Sequence, residues 1–420
     1  MQPVKIGIIG VSGFGASHVE SIAACEEQGV AELSAAVIRA PETRQEKREQ
    51  EEKLRARGVR IYRDYHQMLE KEKGTIDLVA IPSGIGTHAK LSTEILRAGY
   101  HVVCEKPVAG SVEEAFQMAA AQKETGRVLA IGYQNIFSPS IQRLKQLRLE
   151  ERLGRPLAAK CYALWPRSST YYQRNYWAGR IAVEGTPIYD SPAQNAVAHY
   201  LNNLLYIAGD TQEASAEPEN VYAENYRAQK IESADTQYIH ATTGNGLTIQ
   251  FIATHAVDVG DGPVACYRFE NGYVDWLLAD HQGKTRIYEY GGDHKEAGLV
   301  EEFDNGGVDP FQEVFRDTCR AIREGREPLN SIHNSWQHTL CIRAAFAASD
   351  GVHSVPGKYK EDLVQTTELP DGGEAKAINT VIPGVSDMVR RMHEEEKGFA
   401  NSGAPWAVRG RTINAQEVLP

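Results

Sequence analysis

From residue 4 to residue 133 the chain alternates short apolar runs with longer amphipathic stretches, and few folds accommodate that pattern. Residues 4–10, 33–38, 76–81, 102–107 and 128–133 read as buried strands, being short, rich in Val and Ile, and bounded by Gly or Pro. Between them, 16–28, 65–73, 88–98 and 111–125 read as helices. Strands that alternate with helices must cross over in one hand, which predicts a doubly wound parallel sheet.

In such a sheet ligands gather at the carboxyl ends of the strands. The loops there are 10–15, 82–88, 105–107 and 132–135. The first, Gly10-Val11-Ser12-Gly13-Phe14-Gly15, joins a strand to a helix, where free N–H groups and the helix dipole favour a pyrophosphate. Ser12 takes the middle glycine position and Gly13 follows it, so the turn departs from GxGxxG. At the end of the second strand, where an acid would hold the ribose of NAD, stands Arg39. A guanidinium binds a 2′-phosphate in a forked geometry, which tilts the expectation from NAD toward NADP, with Arg44 as a helper. Lys106 ends the strand 102–107, fixed between Glu105 and Pro107 where an ammonium can touch both a nucleotide and a second substrate.

Composition sets limits on the rest. A chain of 420 residues exceeds a single core, and 42% hydrophobic with 24% charged residues is an ordinary globular balance. A net charge of -11 with no basic block argues against nucleic acid. No apolar run reaches membrane-spanning length, and six scattered cysteines without CxxC spacing point to reduced thiols in the cytoplasm and to no metal site.

Downstream, Asp190-Ser191-Pro192 reads as a helix start, with Ser191 capping and Pro192 first in the helix. That helix carries Asn195 and His199, four residues apart and so expected on one face. Before it lies an aromatic segment containing Tyr172, Arg174, Asn175 and Trp177, whose rings, guanidinium and amide suit a sugar. Strand-like runs follow at 221–227, 234–241, 247–253, 264–270, 273–278 and 284–290, then helices at 310–324 and 334–349. His338, on the last of these, reads as structural. Domains are expected at 1–135, 136–350 and 351–420, the last an extension lying over another domain or subunit.

The glycine turn with His18 behind it, Pro82 with His88, Glu105-Lys106-Pro107, and Gly132-Tyr133-Gln134 together resemble the Gfo/Idh/MocA oxidoreductases. The resemblance implies a Rossmann domain followed by an α+β domain with a large, mostly antiparallel sheet flanked by helices, and an active site between the two. It implies that Gly10, Ser12, Gly13, Phe14, Gly15, Arg39, Pro82, His88, Glu105, Lys106, Pro107 and Gln134 meet NAD or NADP. It further implies that Lys106 and His199 act on a sugar or polyol hydroxyl, and that chains form homodimers or homotetramers through the second sheet. In the family an aspartate stands where this chain has Asn195, so the proton must fall to His199 while Asn195 orients. The expected activity is an NAD(P)-dependent sugar or cyclitol dehydrogenase. The alternatives are a redox-cycling glycoside hydrolase that retains NAD and a dinucleotide-sensing regulator without chemistry.

Overall fold

The computed structural model describes residues 2–39, 45–277, 284–291, 296–368 and 374–420. They fold as two units, one of residues up to 138 with 307–336, the other of 139–306 with 337–420. Arg44 lies outside the described residues.

The first unit runs β1 (Val4–Ile9), α1 (Phe14–Glu27), β2 (Ala31–Val37), α2 (Gln45–Ala56), β3 (Arg60–Tyr62), α3 (Tyr65–Lys71), β4 (Leu78–Ile81), α4 (His88–Arg97), β5 (His101–Cys104), α5 (Val112–Thr125) and β6 (Leu129–Ile131). Its six strands are all parallel, in the order β3-β2-β1-β4-β5-β6. The order reverses between β1 and β4, so the loops after these two strands flank the switch point where doubly wound sheets bind ligands. Local chemistry sets the helix ends: Ser111 caps α5 by accepting from the Glu114 N–H, and Gly126, at φ 64°, stops it.

The helix Pro310–Glu324 (α9) belongs to this unit as well: Val314, Phe315 and Cys319 pack with Ile22 and Cys25 of α1. The expected boundary at 136–350 therefore differs from the folded one, since 307–336 returns to the Rossmann sheet. Asp309 as cap, Pro310 at the start and Gly325 at the end define this helix in the sequence. No local residue specifies which sheet its apolar face covers.

The second unit comprises α6 (Pro139–Leu149), β7 (Pro156–Leu164), α7 (Ser169–Tyr172), β8 (Ala182–Val183), β9 (Thr186–Pro187), α8 (Ala198–Ala208), β10 (Pro218–Arg227), β11 (Thr236–Thr243), β12 (Thr248–Thr254), β13 (Asp261–Phe269), β14 (Gly272–Leu277), β15 (Thr285–Tyr290), β16 (Ala297–Phe303), α10 (Trp336–Ala348), β17 (His353–Ser354), β18 (Glu361–Glu368), β19 (Glu374–Val381), α11 (Val385–Glu395) and β20 (Thr412–Asn414). Ten of these strands form one sheet, β16-β15-β14-β13-β7-β12-β11-β10-β17 with β20 also on β10. The β7/β12 and β10/β17 pairs are parallel and the rest antiparallel.

Helix α8 packs on β7 and β12, and so does α11. On the α11 side, Lys160 of β7 and Gln250 of β12 donate to the carbonyls of His393 and Met392. There Tyr162, Tyr226, Tyr238 and Ile252 form one core with Val389, Met392, Phe399 and Trp406. Val389, Met392 and Phe399 are fully buried, and each such burial is worth about 1.5–3 kcal/mol. The stretch after residue 351, expected as an arm over another domain or subunit, thus folds onto its own unit. It covers one face of β7 and β10–β12, part of the sheet through which chains were expected to pair. Among the described residues no helix is long and apolar enough to cross a membrane.

Candidate active site

The start of α1 is built to receive an anion. Gly10 and Gly13 have left-handed φ values of 97° and 60°, which side chains other than glycine rarely adopt. A Cβ on Gly15 would meet the Gly10 carbonyl oxygen at 2.5 Å, so only glycine lets the helix approach the turn. No side chain caps α1 and no acid stands in its first turn, so the helix N-terminus keeps its dipole for a ligand. Ser12, Gly13 and Phe14 are exposed there, and Arg39 is exposed two residues beyond β2. These features fit a dinucleotide pyrophosphate.

Around β5, the carboxylate of Glu105 ties three pieces of the sheet edge together. Its Oε1 accepts from Nε2 of His18 on α1 at 2.8 Å, and its Oε2 accepts from the Lys106 N–H at 3.0 Å. A Cβ on Gly132, just past β6, would come within 2.8 Å of that carboxylate. The pair is buried, with the His18 ring held edge-on by Phe315 at 5.3 Å. Lys106 itself is half-buried and Pro107 buried, after a cis Lys106–Pro107 peptide.

His88 has no exposed surface. Its Nδ1 lies 2.8 Å from the Pro107 carbonyl and its Nε2 3.1 Å from that of Ser83, so it ties the loop after β4 to the loop after β5. Burial opposes charge on the ring. The Cys104 sulfur and the two carbonyls outweigh it and push the pKa up to about 9. Gln134 is likewise buried, in the turn after β6, while Pro82 opens the loop after β4 and is half-buried.

In the second unit Ser191 caps and Pro192 begins the helix, as the sequence predicts. The first turn, Pro192–Ala196, is however a π-turn, closed by the Val197 N–H on the Pro192 carbonyl at 2.9 Å. Val197 (φ -121°, ψ 21°) then interrupts it before α8. Asn195 and His199 are therefore not on one continuous α-helix, and the face argument from their spacing lapses. π-turns cluster at functional sites, and this one is clamped: Gln237 accepts from the Ala193 N–H at 3.0 Å, and His338, fully buried, lies 2.9 Å from the Ala193 carbonyl. At its other end α8 is closed by the buried Lys145, whose ammonium donates to the carbonyls of Tyr206, Gly209 and Ala214.

The residue that sequence reasoning missed is Asp190. Its Oδ1 accepts from Asn195 Nδ2 at 2.7 Å and its Oδ2 from the Gly179 N–H at 2.7 Å, with Arg174 at 3.6 Å. Asn195 thus meets a buried carboxylate five residues before it, where the cap motif had suggested only a helix start. His199 is half-buried at the beginning of α8. In the aromatic segment the Arg174 guanidinium lies over Tyr171 and Trp177, 3.7 and 5.1 Å from their ring centres. Tyr172 and Asn175 line a cavity of about 730 Å³.

Comparison with known proteins bears on the first unit most directly. Residues 4–133 match the oxidoreductase family with an NAD-binding Rossmann fold, Gfo/Idh/MocA. That match takes in all six strands of the first unit's sheet, β1 to β6. An inositol 2-dehydrogenase of Saccharopolyspora erythraea is 28% identical over 155 residues, 37% of this chain and 43% of that protein. A myo-inositol 2-dehydrogenase of Thermotoga maritima is 27% identical over 155 residues, 36% of this chain and 43% of its own. The matched stretch thus spans less than half the length of these relatives. Solved dehydrogenase structures share the fold over 83% of the chain. Levoglucosan dehydrogenase, in complex with NADH and levoglucosan, superposes with a TM-score of 0.69 at 17% identity, covering 83% of this chain and 98% of that one. The WlbA dehydrogenase of Bordetella pertussis, in complex with NADH and UDP-GlcNAcA, gives 0.68 at 22% identity, covering 83% and 97%.

Proposed function

We propose that the chain is a nicotinamide-dependent oxidoreductase acting between a secondary hydroxyl and a ketone of a sugar, cyclitol or sugar acid. The observation that carries this reading is the uncapped, glycine-cradled start of α1 at the switch point of a family-matched Rossmann sheet. A nicotinamide dinucleotide bound there supplies the hydride acceptor or donor. The N–H groups at the start of α1 hold the pyrophosphate, and Arg39 favours a 2′-phosphate and so NADP over NAD.

Lys106 hydrogen-bonds the substrate hydroxyl and stabilises charge as it develops on that oxygen, while His199 takes the proton. Asn195, polarised by Asp190, orients; it exchanges no proton. Arg174, Asn175, Tyr172 and Trp177 belong to the sugar-binding wall. Six free cysteines fit a cytoplasmic setting. Self-association through the second sheet falls to strands β13–β16, where Tyr273 and Tyr288 stack at 4.6 Å and Leu299 is 53% exposed.

The test is nicotinamide absorbance in the near ultraviolet, with NAD⁺ or NADP⁺ against pyranoses, cyclitols, aldonates and uronates, and with the reduced cofactors against the matching ketones. We expect turnover with one sugar class and a fall in NADP⁺ preference in Arg39→Ala. Absence of turnover in both directions overturns the reading.

A further inference from the structure

The cavity beside the aromatic segment lies wholly within the second unit, and its walls are tied to one another. One wall is residues 169–180, the second is the loop between β10 and β11, and the third is the β18–β19 hairpin of the C-terminal segment. The Ile378 N–H donates to Ser169 Oγ at 3.0 Å. Gln229 donates to the carbonyls of Arg167 and Thr380 at 3.1 and 3.2 Å. The N–H groups of Glu232 and Ser233 both donate to the Gly179 carbonyl, and a Cβ on Gly179 (φ 70°) would strike Ile231 at 2.7 Å. A half-open space of about 730 Å³ between walls so tied is of small-molecule size and already formed.

Its lining selects a ligand class. Cationic Arg180, Lys230 and Lys376 face anionic Glu232 and Asp362. Arg180 pairs with Glu232, and Asp362 accepts from Thr380 Oγ1 at 2.6 Å. A phosphate-rich ligand would meet two carboxylates, and a purely apolar one would desolvate charges without replacing their hydrogen bonds. Asn175 commits its Oδ1 to the N–H groups of Trp177 and Ala178, so the group it offers is its NH₂. Tyr172 lines the space while its hydroxyl is shut off from solvent, so what it offers a ligand is its ring. Tyr176 is 70% exposed, a bare aromatic face at the rim. Mixed donors and acceptors beside an open aromatic ring match hydroxyls on a C–H-faced ring.

We propose that this cavity is a binding site for a neutral sugar ring that is not itself oxidised, such as the second residue of an oligosaccharide or glycoside. The wall is anchored to the proposed catalytic segment, because Asp190 holds both the Gly179 N–H and Asn195. The inference rests on the sugar-dehydrogenase reading only for preferring a sugar among the neutral, hydroxyl-rich ligands that the lining admits.

The test is calorimetric titration of the full chain, without nicotinamide, with maltose, cellobiose, lactose and their methyl glycosides. At least one should bind, and its Kd should rise tenfold or more in Tyr176→Ala and in Asp362→Ala, both changes at exposed positions that leave the core untouched. No binding by any of them, or binding indifferent to both substitutions, overturns the proposal. Oxidation is not read here. Disaccharide binding without nicotinamide turnover therefore overturns the dehydrogenase reading and spares the cavity, and turnover of monosaccharides without disaccharide binding does the reverse.

Discussion

In the first unit the groups assigned to the dinucleotide hang from short loops of an all-parallel sheet, shaped by backbone: left-handed Gly10 and Gly13, and a Gly15 with no room for a Cβ. In the second unit the groups assigned to substrate sit on a π-turn, the start of α8 and an aromatic loop, held by side chains, chiefly Asp190, Gln237 and His338. A backbone cradle depends on residues adjacent in sequence, and its motif is short. A side-chain clamp draws on α10, β11 and the loop before α8, and leaves no compact motif.

The sharpest test of this contrast removes one reacting group from each unit. Lys106→Ala and His199→Ala should each lower kcat by about 10²–10³-fold with the fold retained, measured by nicotinamide absorbance and near-ultraviolet circular dichroism. Activity unchanged in either variant would remove that residue from its role.

Next in size is a pH effect confined to the first unit. His88 meets two carbonyls, so its protonated form satisfies both, whereas a neutral ring would set a lone pair against one of them. Its folded pKa of about 9 exceeds the ordinary value of 6.5. The stabilisation is therefore complete below pH 6.5 and lost as pH rises through about 9. Protection factors, with the intrinsic base-catalysed rate divided out, should fall over that range in wild-type peptides spanning β4 to α5 and stay level in His88→Asn.

Smaller effects separate the two kinds of support. Gly15→Ala should cost about 1–3 kcal/mol and raise KM for the dinucleotide while leaving sugar KM alone, since the new methyl meets backbone. Asp190→Asn sets an amide NH₂ against the donors from Gly179 or Asn195, at a cost of about 1–3 kcal/mol. It should lower kcat/KM for the sugar roughly tenfold and leave dinucleotide KM unchanged. If either variant moved the other unit's KM, the two supports would not be independent.

The alternation of apolar runs, the glycine turn, the cap Ser191 and the triplet Glu105-Lys106-Pro107 were readable because each is a local relation between neighbours in the chain. From these the sequence by itself determined a parallel Rossmann sheet, a glycine-rich turn into the first helix, and a second, strand-rich region. The partners of His18 and His88, the π-turn that breaks the Asn195–His199 spacing, and Asp190 beside Asn195 were decided by tertiary structure. So were the return of α9 to the first sheet, the folding of α11 over β7 and β12, and the β18–β19 wall of the cavity. Each of these depends on which distant surface meets an amphipathic face or a buried polar group, and apolar faces and hydrogen-bonding groups carry no address in the chain; only packing and the need to satisfy buried polar atoms choose among the alternatives.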